Sequence, residues 1–393
     1  MVSEEEVKEI KTALEDGDLC TATDKFLQTL KDIENAPLNI AVTGESGSGK
    51  STFINVIRGL DDDEEEGAAK TGVTETTMEP KAYPHPQYNH VIFWDLPGIG
   101  SPTFKPNDYL EAVEFDRYDF FIILSSDRFR HNDMELAKAI QSMGKKFYFV
   151  RSKVDSDLNA SQIRRKKSYN EENILNDIRN NCIKCLQEGG IQDPKVFLLS
   201  CLDLKKYDFN QMQETLEQEL PSHKRHVFML CLPNISLPVL KKKREALKKQ
   251  IWMWASLSCA VAAVPLPGLS VACDVSILVT EMIKYRNAFG LDQKSLEKLA
   301  NRVDKDVDEL KSVIKSPIVV KEINKELAIK LLTLGVGGAL MLIEYLFSTI
   351  PVFGSVAAGG ISFATTYYML YNFLKDIAED AVRVLEKSLE SPV

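Results

Sequence analysis

Short, mainly apolar runs bounded by turn chemistry alternate with stretches of helical periodicity from about residue 38 to about residue 220. Leu38–Thr43, Val91–Leu96, Phe120–Ser125, Phe147–Val150 and Val196–Leu199 are such runs, and a further strand is expected through Tyr83. Runs apolar on both faces and separated by helix-length segments are the pattern of βαβ units around a mostly parallel sheet. Beyond Pro233 the alternation stops. Long helical patterns take over, one opened by Lys241–Arg244 and others containing Ser295–Asn301 and Ala378–Leu389. Residues 3–35 predict two short helices, with Ser3 and Glu6 at capping-box spacing and Leu27, Leu30 and Ile33 forming an apolar stripe. Helices this short cannot bury an apolar face alone, so they are expected to pack with the C-terminal helices. The expected organisation is 1–36 joined to an all-α part at 234–393, with an α/β domain at 37–233.

Composition narrows the class. The 393 residues are 44% hydrophobic and 27% charged, as in an ordinary folded chain. A net charge of -9 argues against broad nucleic-acid binding, which needs an excess of Lys and Arg. Seven cysteines in a chain of this length do not make a disulfide scaffold. The acidic start has no apolar core of a signal peptide, Val2 stands where myristoylation needs glycine, and the Ser-Pro-Val ending is no prenylation box. A reduced, cytoplasmic compartment is expected.

The first expected strand runs into Gly44, Glu45, Ser46, Gly47, Ser48, Gly49, Lys50 and Ser51, which fits G-x-x-x-x-G-K-S, and Thr52 opens a helical stretch. Glycines in such a loop let backbone N–H groups turn inward around phosphates. Lys50 supplies a point charge to the β- and γ-oxygens, and the Ser51 hydroxyl ligates Mg2+. The strand before and the helix after are the context that separates this motif from a chance Gly/Ser loop. About one βαβ unit later, Val91–Leu96 delivers Asp95-Leu-Pro-Gly98. An Asp there holds Mg2+ and the Gly98 N–H can bond the γ-phosphate. Ile99 follows, where many small GTPases carry a Gln that orients the attacking water, so hydrolysis is expected to need another residue or a second molecule.

Arg151-Ser-Lys153-Val-Asp155 follows the strand at Phe147–Val150 and matches [TN]-K-x-D with Ser152 in the first position. Asp155 can accept from both guanine N1–H and N2–H2, whereas adenine would leave it unpaired. Lys153 is expected to cover the ring, and Ser200, after another strand, to lie in a base-edge loop. The nucleotide predicted is therefore GTP, with GDP as its product. Between the phosphate motifs lie the acidic run Asp61–Glu66 and a Thr-rich stretch, in which Thr77 is the first candidate and Thr71 the second to reach Mg2+. Four closely spaced threonines also suit a strand.

Gly44–Ser51, Glu66–Gly72, Phe93–Gly100, Tyr118–Phe121, Phe147–Arg151 and Leu220–His226 resemble the immunity-related, interferon-inducible GTPases, and the similarity spans nearly the whole chain. The resemblance implies a dynamin-like GTPase: a Ras-like P-loop G domain plus an all-α helical domain made from both chain ends. Members tend to form homo-oligomers through their G domains in the GTP state and to act on intracellular membranes in cell-autonomous immunity. Lys50 is similar to the branch with an ordinary G-K-S loop. The resemblance also implies that Glu75 serves hydrolysis across a dimer; Lys50 and Thr77, from the motifs themselves, are the other catalytic candidates.

Ile251–Cys273 and Tyr345–Leu374 carry no charged residue but are interrupted by Pro265, Pro267, Pro351 and Gly354. They suit either buried helical hairpins or peripheral membrane contact, since breakers in mid-span are costly in lipid. Cys182 and Cys185 have zinc-like spacing without a second pair, and no metal site is expected there. His85, His90, His223 and His226 are expected at the surface, as are the basic runs Arg164–Lys167 and Lys241–Arg244, which otherwise suit anionic lipid.

Overall fold

The computed structural model describes residues 12, 28, 32, 35–62, 67–72, 79–99, 105–262, 269–316, 319, 323–329 and 357–390. The chain divides into two compact units, Ala36–Pro233 and a second made of Met1–Asn35 with Asn234–Val393. The helices expected over 3–35 fall almost wholly outside the described residues.

The first unit is an α/β layer structure on six strands: β1 (Leu38–Gly44), β2 (Lys81–Pro84), β3 (Val91–Asp95), β4 (Phe120–Ser125), β5 (Lys146–Arg151) and β6 (Val196–Leu198). Their order across the sheet is β2-β3-β1-β4-β5-β6. β2 pairs antiparallel to β3, with Tyr83 opposite Phe93, and every other neighbouring pair is parallel. β4 is buried at every position and β1 at all but one, which is why these strands read as largely apolar runs. Helices α1 (Lys50–Ile57), α2 (Pro106–Ala112), α3 (His131–Ser142), α4 (Val154–Arg164), α5 (Glu171–Glu188), α6 (Phe209–Glu219) and α7 (Ser222–Cys231) connect or follow the strands. Tyr118, Phe121, Phe149, Leu136 and Leu186 form the centre of one core cluster, sealed by an edge-to-face contact of Tyr118 with Phe121 at 5.5 Å.

From β1 the chain crosses to β3 on one side and then to β4 on the other. The carboxyl ends of these three strands therefore border a crevice, the place where open parallel sheets bind ligands. Gly44, Asp95 and Ser125 end them.

The second unit is helical: α8 (Leu237–Ala262), α9 (Leu269–Ala288), α10 (Gln293–Arg302), α11 (Val307–Lys311) and α12 (Ala357–Leu389). Here α8 lies along α12, and α9 packs on both. A buried polar hub joins the three. Ser258 Oγ bonds Asp274 Oδ1 at 2.5 Å and Ser362 Oγ at 2.6 Å, and Thr366 Oγ1 donates to Ser258 Oγ at 3.0 Å. Burial pushes the Asp274 carboxyl above its ordinary range. Within the apolar stretch from Ile251, the residues Ile251, Met253, Ala255 and Leu257 are buried, with Trp252 and Trp254 half-buried beside Met253. Among the described residues no helix is long and apolar enough to cross a membrane. Residues 345–356 of the second apolar stretch lie outside the described residues.

Three surface expectations are overturned. Lys243, in the basic run that opens α8, is 2% exposed and donates to the Ala288 carbonyl at 2.8 Å. Its ammonium reaches the end of α9, where unsatisfied carbonyls and the helix dipole favour a cation. His85 is buried, its backbone N–H bonding Val91 O at 2.8 Å and its ring Nδ1 accepting from Gln87 N–H. His226 is buried on the packed face of α7, in the stretch leading to Val227 and Phe228. Arg164–Lys167 are exposed.

Candidate functional site

The loop after β1 turns on its glycines. Gly44 has φ 138°, and a β-carbon there would stand 2.0 Å from Leu124 O, so only glycine lets β1 lie this close to β4. Gly49, φ 93°, is the residue before α1, and no side chain caps that helix, which leaves its first N–H groups facing the loop. Buried Lys50 reaches back over the loop, donating to Glu45 O at 3.0 Å and Gly44 O at 3.2 Å. Ser46 and Gly47 are exposed at the tip, and Ser48 is buried beneath it. An ammonium above a ring of N–H donors is an anion cradle.

Ser51, on the first turn of α1, donates from Oγ to Asp95 Oδ2 at 2.7 Å, across 44 residues of sequence. Asp95 is 1% exposed at the end of β3, held in register opposite Val42. A hydroxyl and a carboxylate meeting beside the cradle are hard oxygen donors, and this donor set fits Mg2+, which takes a few protein oxygens and shares the rest with phosphates and water. Among the described residues no group of three or more His, Cys, Asp or Glu gathers to hold an ion. Thr77 and Glu75 lie outside the described residues. Thr71 is exposed.

The turn after Asp95 is pinned from three sides. Ile99 N donates to Gly44 O at 3.3 Å, Asn132 Nδ2 of α3 donates to Ile99 O at 2.9 Å, and the Tyr109 hydroxyl of α2 donates to Pro97 O at 3.0 Å. Gly98 sits half-buried in the middle of this turn. The Ile99 side chain is wholly buried in the core, so it takes no part in the crevice.

The base-side loop is tied to the phosphate loop. Ser152 Oγ shares its proton between Ser48 O at 2.7 Å and Ser125 O at 3.3 Å, while Lys153 Nζ donates to Gly47 O at 2.8 Å. A serine hydroxyl is all this link requires, which explains why serine serves in the first position of the motif. Lys153 itself has φ 56° and precedes α4, whose first turn carries Asp155. Buried Arg151 holds the loop from behind, bonding Asp157 Oδ2 at 2.5 Å and Ser152 O at 2.9 Å. The loop after β6 joins here through Val154 N to Leu199 O at 3.3 Å. Ser200 in that loop is buried, its Oγ accepting from Leu202 N, and next to it burial pushes the Cys201 thiol up to about 12. Lys50, Ser51, Asp95, Lys153, Asp155 and Ser200 thus belong to one row of strand ends.

The family model described as Interferon-inducible GTPase (IIGP) matches residues 3–388. The chain belongs to that family. It is 44% identical to rat interferon-inducible GTPase 5 over 390 residues, 99% of this chain and 84% of that protein. Against mouse interferon-gamma-inducible GTPase 10 the identity is 42% over 390 residues, 99% of this chain and 90% of that one. Mouse interferon-inducible GTPase 1 is 41% identical over 387 residues, 98% and 91% of the two chains. The sheet order and phosphate loop agree with this interferon-inducible GTPase having a P-loop GTPase fold.

Several residues around the site were not picked out by motif. Asn55 on α1 is wholly buried and brackets Ala69 with both ends of its amide, accepting from Ala69 N at 2.6 Å and donating to Ala69 O at 2.9 Å. It also donates to Asp62 Oδ1 at 2.8 Å, while Thr52 Oγ1 donates to Asp62 Oδ2 at 3.3 Å. The stretch leading toward Thr71 is thereby fastened to the helix that carries Ser51. An amide amid Phe53, Ile54, Val56 and Ile57 was the available signal. Glu45 pairs with Arg130 at 2.8 Å, which draws the loop's carboxylate away from the cradle.

Proposed function

We propose that this protein binds GTP with Mg2+ and hydrolyses it to GDP and phosphate, and that a second copy of the chain assists the hydrolysis. Lys50 and the loop N–H groups take the phosphates, Ser51 and Asp95 take the ion with Thr77 or Thr71, and Asp155 selects guanine under the cover of Lys153. The observation that carries the reading is the 2.7 Å contact of Ser51 Oγ with Asp95 Oδ2 beside the Lys50 ammonium, which converges two sequence motifs on one oxygen-rich spot. Bound Mg2+ would supply charge neutralisation to the transferring phosphoryl group. The chain's own work is to cradle the phosphates, orient the nucleotide by its base and close the crevice around it.

Because the Ile99 side chain is buried and carries no polar atom, water orientation falls to a group from elsewhere. Glu75 of the switch, acting across a G-domain dimer, is the group assigned. The same observation favours a second reading, a GTP-bound switch or scaffold that hydrolyses little and recruits partners. Single-turnover phosphate release at high protein separates the two, since its absence leaves only the scaffold.

The N-terminal segment is proposed to pack with the C-terminal helices as one helical domain. Action at intracellular membranes, from a cytoplasmic location and without nucleic acid, completes the proposal. Co-sedimentation with liposomes in GDP and in a non-hydrolysable GTP analogue tests it, with binding expected to be stronger in the analogue. For the nucleotide site itself, calorimetry is expected to show GTP bound far more tightly than ATP, and Lys50→Ala to lose roughly a hundredfold or more in affinity. Equal affinity for ATP and GTP would sink the guanine assignment.

A further inference from the structure

The Pro97–Gly98 peptide lies between the metal-site carboxylate and the buried Ile99, and its two polar atoms have different fates. Its carbonyl accepts from the Tyr109 hydroxyl at 3.0 Å. Its N–H, that of Gly98, has no hydrogen-bond partner among the described residues. The Tyr109 oxygen also lies 2.8 Å from Thr43 Oγ1. A phenol has one proton to give, and Pro97 O can only accept, so Tyr109 donates to Pro97 and Thr43 donates to Tyr109. Thr43 is wholly buried and stands one residue before Gly44, so the chain of hydroxyls starts on the strand that ends in the phosphate loop.

A trans peptide is planar, with its C=O and N–H on opposite sides. The chain contains no cis peptide among the described residues. Fixing the direction of the Pro97 carbonyl therefore fixes the direction of the Gly98 N–H. We infer that Tyr109 is a positioning residue for the third phosphate, its hydroxyl aiming the Gly98 N–H into the crevice and so setting the preference for GTP over GDP. The inference rests on the reading of Gly98 as the γ-phosphate donor and adds the residue that orients it. Supporting it, burial raises the Tyr109 phenol above its ordinary range, so the proton that makes the bond stays in place. The next peptide is held independently, by Ile99 N on Gly44 O and Asn132 on Ile99 O, so removing the Tyr109 hydroxyl frees one peptide plane and leaves the rest of the turn fastened.

Tyr109→Phe keeps the ring and removes the donor. Wild type, Tyr109→Phe, Thr43→Val and the double variant are titrated with GDP and with a non-hydrolysable GTP analogue. Tyr109→Phe is expected to weaken the analogue roughly three- to tenfold, the worth of one oriented hydrogen bond, and GDP by less than about twofold. Thr43→Val is expected to move the ratio the same way by less. The double variant should match Tyr109→Phe alone, because Thr43 acts through the phenol. Equal weakening of both nucleotides, an unchanged ratio in both single variants, or additive losses would each overturn the inference. A wild type that binds neither nucleotide would sink the GTP reading together with it, whereas a wild type that binds both with a ratio indifferent to Tyr109 would sink this inference alone.

Discussion

At Gly44 the backbone φ is 138°, and an added methyl group would meet the Leu124 carbonyl at 2.0 Å. No rotamer relieves a clash at the β-carbon, so Gly44→Ala is expected to separate β1 from β4 and abolish nucleotide binding, read by calorimetry beside a melting curve. Ser152 makes a finer case. Removing its hydroxyl leaves the buried Ser48 carbonyl without that donor, so Ser152→Ala should weaken GDP several-fold, roughly the worth of one buried bond. Ser152→Thr keeps the donor and should bind as wild type does; a Thr variant as weak as the Ala variant would refute this account. Lys50, Ser51 and Asp95 were legible because each sits in a short motif whose spacing the chemistry dictates. Tyr109 was not, since its partners Thr43 and Pro97 lie 66 and 12 residues away and an isolated tyrosine in a helix carries no pattern.

Among the elements, α3 begins on a cap that titrates. Arg130 N–H bonds Asp133 Oδ2 at 3.1 Å, and burial raises the Asp133 carboxyl from 3.8 to about 6 despite that bond. The folded value exceeds the unfolded one, so the fold favours the neutral form. Its stabilisation is whole below the unfolded value of 3.8 and fades as pH rises through about 6. Asp133→Asn keeps an oxygen for the cap and loses the charge. It is expected to raise the melting temperature clearly near neutral pH and little in mild acid; a pH-independent effect would count against the mechanism. The strands were readable because buried parallel strands are apolar on both faces, and the observed ends of β1, β3, β4, β5 and β6 depart little from the apolar runs. The basic start of α8 misled for the opposite reason. Four consecutive cations look like a solvated face, yet a helix points them around its whole circumference, and Lys243 is the one directed at the end of α9.

For the whole molecule, the buried Ile99 leaves the first unit with a nucleotide cradle and no side chain at that position to direct water. Specific GTPase activity is therefore expected to rise over roughly a hundredfold range of protein concentration, as a bimolecular assist requires. A flat line, with turnover already fast when dilute, would mean that a single copy holds all it needs.

The sheet's outer strand bears on how copies of the chain can meet. β2 ends in Pro84, which has no N–H to offer, and its carbonyl is taken by Arg58 at 2.8 and 3.1 Å; the opposite border, β6, is three residues long. Among the described residues, neither margin offers a neighbour the long ladder of free peptide groups that strand-to-strand joining needs. Growth of the sheet from one molecule into the next is thereby disfavoured, so if copies meet as proposed, side chains and loops would make the contact.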